Sequence, residues 1–225
     1  MRLLQCIWAI ARKDIQLEMR TRQVLATMIV FGLLGAVIFS FSFEMAPEQA
    51  RRFLPGMLWV VTVFAAMFGL NRQFAVERVE GCLQGVLMAP MDRSALYFGK
   101  LLGNWLFVLA VVGVVWPAFF LFFRITGPLP LLQMLVVVIL GSLGFVGAGT
   151  FLAALSAQTR AGEILLPILL LPVAVPLLIG GVKLTGGLMG GETLGAYDLW
   201  LKLILVYDLI FTIVPWLLFD SLVEG

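Results

Sequence analysis

The chain has 225 residues, 62% hydrophobic and 12% charged, with a net charge of +2 and a mean hydropathy of +1.08. A soluble domain carries about 25% charged residues, so this chain cannot cover a water-facing surface, and no basic patch with interleaved aromatics suggests nucleic acid. It has no histidine, which removes the commonest metal ligand and the base of a hydrolytic triad.

Residues 1–22 read as an amphipathic helix lying on a membrane surface. At helical spacing Leu4, Ile7, Trp8, Ala11, Ile15 and Met19 share one face, while Arg2, Gln5, Arg12, Lys13, Gln16 and Arg20 share another. Six stretches long enough to cross a bilayer follow: Val24–Phe43, Leu54–Leu70, Leu101–Phe123, Leu131–Leu155, Ile164–Val182 and Leu199–Phe219. They are expected to be helices, because runs such as Leu131–Leu140 are apolar on every side but for Gln133 and lack the alternation of a barrel strand. The first span is too long, and starts too far from Met1, for a cleaved signal peptide, so it reads as an uncleaved insertion signal. Nothing soluble interrupts the chain, and residues 1–225 read as one membrane domain.

Between the second and third spans, residues 71–100 form the only sizeable polar segment. Val76, Val79, Leu83 and Val86 or Leu87 recur at helical spacing within it and Pro90 closes the pattern, as in an amphipathic helix pressed against a surface or a partner. Span four is rich in small residues, Gly141, Ser142, Gly144, Gly147, Ala148 and Gly149, which let helix backbones approach closely. Span five holds Pro167, Pro172 and Pro176; each lacks an N–H donor, so a kinked or broken helix is expected there, followed by a re-entrant or external loop over the glycine-rich stretch from Gly180 to Gly195. Span six carries Asp208 near its middle, where a charge costs roughly 2.5–3.5 kcal/mol on the insertion scale. Such an acid marks either a functional site or a group hydrogen-bonded inside the bundle.

Orientation follows the bias of Lys and Arg toward cytoplasmic loops. Ten of these residues fall on the side that holds the N-terminus and residues 71–100, against four or five on the other, so both termini are expected in the cytoplasm. Cys6 and Cys82 then lie where thiols stay reduced, and no disulfide is expected. Gly99-Lys100 is not a phosphate loop, since Ser94 stands where its first glycine would be and Leu101 where Ser or Thr would follow. No catalytic, metal-binding or cofactor-binding residues can be nominated, and any ATP must be handled by another chain.

Several blocks together, Pro55-Gly56-Met57-Leu58-Trp59-Val60, Glu80-Gly81-Cys82-Leu83-Gln84 ahead of Pro90, Gly144-Phe145-Val146-Gly147-Ala148 and the proline-studded Pro167–Ile179, resemble the heme exporter protein B (CcmB) family. That family supplies the membrane subunit of the cytochrome c maturation ABC transporter. The resemblance runs from about Arg2 to Val182 and fades beyond, and it departs from the family pattern at Cys82 and Gly85. It implies the ABC-2 type permease architecture: an interfacial N-terminal helix, six transmembrane helices and a cytoplasmic coupling helix between spans two and three. It further implies a homodimer in the bacterial inner membrane, two copies of a CcmA-like ATP-binding subunit, CcmC-like and CcmD-like membrane partners, and a CcmE-like heme chaperone. Glu77, Arg78, Val79, Glu80, Gly81, Leu83, Leu87 and Pro90 would form the contact with the ATPase. Heme would be handled rather than held by imidazole, since any histidine ligand must come from a partner. Two other readings fit the same architecture: a permease for a drug, lipid or polysaccharide, and a channel or secondary transporter that needs no ATPase.

Overall fold

The computed structural model describes residues 2–43, 47–79, 93–156 and 162–222. Among these residues seven α-helices follow one another: α1 (Arg2–Thr21), α2 (Gln23–Ser42), α3 (Pro47–Val79), α4 (Arg93–Phe122), α5 (Leu131–Ser156), α6 (Gly162–Met189) and α7 (Asp198–Leu222), the last preceded by a 3-10 turn at Leu194–Tyr197. Six of them, α2 to α7, are long and apolar enough to cross a membrane. This is the all-α membrane architecture that composition demands, because a helix satisfies its own backbone where no water can.

The spans are longer than their apolar cores. Helix α3 continues through 71–79 and α4 begins at Arg93, so much of the polar segment expected as a loop is helix that extends spans two and three. The larger correction concerns span five. Helix α6 is continuous through Pro167, Pro172 and Pro176 and on to Met189, so the expected break is absent, and the chain turns only at Gly190–Gly191. The Tyr207 hydroxyl reaches the backbone of this proline-bearing helix, donating to the Val173 carbonyl at 3.2 Å, one residue past Pro172, whose carbonyl is the one Pro176 leaves without a helical donor. The glycines expected in a loop are contact points instead. A β-carbon on Gly181 would stand 2.6 Å from Trp59 Cε2, one on Gly180 3.1 Å from Ile204, and one on Gly187 2.7 Å from Tyr197 Cζ. Only Gly191, at φ 91°, needs glycine for its own backbone.

Helix α5 is the hub, packed against α3, α4, α6 and α7. Its small residues form this seam inside one subunit: Gly141 receives the Trp59 ring, Gly144 receives Asp208, Tyr207 and Leu177, and Gly147 lies against the Phe211 carbonyl. On α2, Gly32 faces Val115 and Ala36 is fully buried, so this stripe too serves packing within the subunit. The outer faces of α2 and α7 present Val30, Leu34, Ile38, Leu209 and Ile213, the apolar exterior a lipid environment requires.

Candidate functional site

Helix α1 lies along the first turns of α4, and of the apolar face that amphipathicity nominated only Ala11 is fully buried. Leu4 and Trp8 are 72% and 57% exposed and Met19 is exposed as well, while Ile10, Ala11, Asp14 and Glu18 are buried. The apolar face of α1 therefore points partly away from the bundle, as a helix floating on lipid would have it, and a narrower stripe holding two acids faces inward. On α4, Gly99 and Gly103 provide the flat surface: a β-carbon at Gly99 would come within 2.7 Å of Ile10 Cβ, and one at Gly103 would lie 3.7 Å from Asp14 Cβ. Between those glycines Lys100 reaches back, and its Nζ meets Asp14 Oδ2 at 2.9 Å, with both residues only 5% exposed. Lys13, largely in solvent, flanks the same carboxylate at 3.3 Å.

One turn further along α1, Glu18 accepts a hydrogen bond from the Leu25 N–H at 2.8 Å. Leu25 is in the first turn of α2, where backbone donors have no partner of their own, and a carboxylate there also complements the helix dipole. The chain enters α2 through Arg22, whose left-handed φ of 53° makes the sharp corner between the helices. Asp14 and Glu18 thus tie α1 to α4 and α2 respectively.

Deeper in the bundle the polar contacts are neutral. Trp59 Nε1 donates to Thr185 Oγ1 at 3.0 Å, joining α3 to α6, and Trp116 Nε1 donates to Thr62 Oγ1 at 3.0 Å, joining α4 to α3. The two indoles meet edge to face with centroids 5.9 Å apart. Trp105 Nε1 donates to Ser142 Oγ at 2.9 Å, joining α4 to α5. Nearer the α1 end, three residues before Lys100 on α4, Tyr97 adds a fourth neutral link, donating from its hydroxyl to the Phe211 carbonyl at 2.8 Å. That carbonyl is open because its helical donor would be residue 215, which is proline.

Asp208 is the exception at this depth. It is 7% exposed and seated on Gly144 beside Tyr207, and neither carboxylate oxygen has a hydrogen-bond partner among the described residues. At the end of the bundle away from α1, a cavity of about 480 Å³ lies between Arg51, Gln133, Leu188 and Glu192.

Of the residues nominated for coupling, Glu77, Arg78 and Val79 end helix α3, whereas Glu80, Gly81, Leu83, Leu87 and Pro90 lie outside the described residues, as does Cys82. Pro167, Pro172 and Pro176 stand within one unbroken helix, and Asp208 is buried without the hydrogen-bond partner, among the described residues, that one of its two readings called for. Sequence reasoning missed Asp14, Glu18 and Lys100. The signal was there: Gly99 and Gly103 stand four apart, the spacing that lets two helices touch.

Six apolar helices, one of them a glycine-faced hub, with a charged helix strapped to one end, define a polytopic α-helical membrane protein. A family model described as CcmB protein matches residues 5–219, and the chain belongs to that family. The match runs past Val182, where the resemblance of short blocks faded, and takes in most of α7 with Asp208. Among individual relatives, the heme exporter protein B of Rhodobacter capsulatus is 29% identical over 176 residues, 78% of this chain and 80% of that protein. That of Paracoccus denitrificans is 28% identical over 175 residues, again 78% and 80%. That of Pseudomonas aeruginosa is 26% identical over 193 residues, 84% of each.

Proposed function

We propose that the chain is the membrane subunit of a heme-exporting ABC transporter that serves cytochrome c maturation in the bacterial inner membrane. The observation that carries this reading is the family match over nearly the whole chain, together with relatives named heme exporter protein B. In this reading the subunit hydrolyses nothing itself. It pairs with a second copy and with two CcmA-like ATPase subunits, works alongside CcmC-like and CcmD-like partners, and serves delivery of heme to a CcmE-like chaperone and release of the loaded chaperone. Both termini face the cytoplasm, with the α1 end of the bundle on that side. ATP shifts the balance between two arrangements of the bundle, which is what a mechanical subunit requires.

The segment centred on Leu83 is the coupling element of this reading. Val79, Leu83 and Leu87 would anchor in a groove of the ATPase, with Glu77, Arg78 and Glu80 orienting the approach, in the manner of helix-in-groove recognition. Two measurements test the function. Deleting the gene should abolish covalently heme-stained c-type cytochromes, and the Leu83→Asp variant should reach the membrane normally yet fail to co-purify the ATPase. Normal cytochromes in the deletion strain would end the heme-export reading. Normal ATPase retention by Leu83→Asp would end the assignment of the coupling element.

A further inference from the structure

The buried contacts of α1 form a clamp. Asp14 holds it to α4 through Lys100, Glu18 holds it to the first turn of α2, and the Gly99–Gly103 surface brings α1 and α4 into close contact. Its outward face, with Leu4, Trp8 and Met19, is exposed. The pair is also placed where it matters, because Lys100 follows Arg93, the first residue of α4, by only two helical turns, and residues 80–92 immediately precede that helix.

From this arrangement we infer that α1, the start of α2 and the start of α4 move as one rigid unit, and that Asp14 and Lys100 are the positioning residues that make it rigid. A push delivered near residues 80–92 then reaches two spans together, the third directly and the first through α1. The inference rests on the transporter reading above and adds to it a specific path for motion. It excludes the alternative in which α1 slides over the glycine surface of α4 during the cycle. Two flat helix faces could slide, but a buried ion pair with its ends on both faces would have to break at each stroke, which is costly.

Locking the two helices together separates these cases. Inverted membrane vesicles carrying the complete complex, with Cys6 and Cys82 replaced by Ser, expose the α1 end to the medium. The variant Asp14→Cys/Gly103→Cys/Lys100→Met removes the ion pair and puts thiols on β-carbons that would stand 3.7 Å apart, inside the roughly 3.5–4.5 Å that a disulfide spans. Oxidised with copper phenanthroline, these vesicles should load heme onto the chaperone with near-wild-type yield per ATP hydrolysed. After reduction with dithiothreitol the same vesicles should continue to hydrolyse ATP while loading falls by roughly ten-fold, the scale of coupling that such networks carry. Because one sample is read in both states, a folding defect cannot imitate the result. Loss of loading in the oxidised state would show that α1 must slide, and full loading in the reduced state would show that the pair transmits nothing; either overturns the inference. Wild-type vesicles that load heme without ATP would instead overturn the transporter reading beneath it.

Discussion

At the α1 end, Asp14 and Lys100 meet as opposite charges 2.9 Å apart, whereas farther from that end indole and hydroxyl groups join the helices without any charge. The difference follows depth. Near the end of a span, long side chains can reach partners and an ion pair can hold two helices in one register, while in the hydrocarbon centre a neutral donor and acceptor satisfy each other at far lower desolvation cost. The two regions also differ in what fixes their spacing. Glycine does it in both, but the α1 end places Gly99 and Gly103 against aliphatic and acidic side chains, and the centre places Gly141, Gly144 and Gly181 against rings and Asp208. Asp208 breaks the pattern, an acid in the neutral layer with no base beside it among the described residues.

Four substitutions probe that contrast. Lys100→Glu has the largest effect, because it sets two acids together in a buried site; breaking a buried pair costs about 3–5 kcal/mol. The detergent-solubilised protein should lose most of its thermal stability and the exchange Asp14→Lys/Lys100→Glu should recover a large part, so strict additivity of the two changes would show that the pair is not coupled. Next comes Gly181→Leu, which drives a side chain into the Trp59 ring in the neutral layer and should cost about 1–3 kcal/mol, as overpacked cores do. An unchanged denaturation midpoint would mean that Trp59 can swing away freely. Tyr97→Phe is milder, since interhelical hydrogen bonds in membrane proteins average about 0.6 kcal/mol and reach about 1.7. Its loss should shrink in a Pro215→Ala background, where residue 215 regains an N–H to bond the Phe211 carbonyl; an equal loss in both backgrounds would separate the tyrosine from the proline. The smallest effect on stability belongs to Asp208→Asn, which keeps the shape and removes no described partner, so membrane level and melting should match the wild type. A pronounced drop would reveal a partner that the carboxylate has and the amide cannot keep.

How much of this was legible in the sequence divides along physical lines. The six spans were, because six apolar stretches of about 20 residues fit a bilayer and overload any soluble core, whereas Asp208 could be placed at mid-span but not assigned a partner or a role. Helix ends were not legible, because a span that leaves the bilayer stays helical through polar residues, as 71–79 and Arg93–Lys100 do. Glycine misled in α6. In water a stretch such as Gly180–Gly187 signals a loop, but in lipid the same residues are the contact surface for Trp59 and Tyr197. On α1 the hydrophobic pattern marked the outward face, and the inward face escaped because its decisive members, Asp14 and Glu18, look like surface acids until Lys100 and the Leu25 N–H are placed opposite them.

The placement of Lys100 also bears on how the protein is made. Synthesis delivers Asp14 and Glu18 before anything that receives them: Glu18 finds the Leu25 N–H once the first span has formed, but Asp14 must wait until α4 has left the ribosome and entered the membrane. During that interval α1 can rest on the lipid through Leu4, Trp8 and Met19, the residues that remain exposed in the finished bundle. The early helix therefore docks late. Its outward apolar face can moor it to lipid until the third span arrives to receive it.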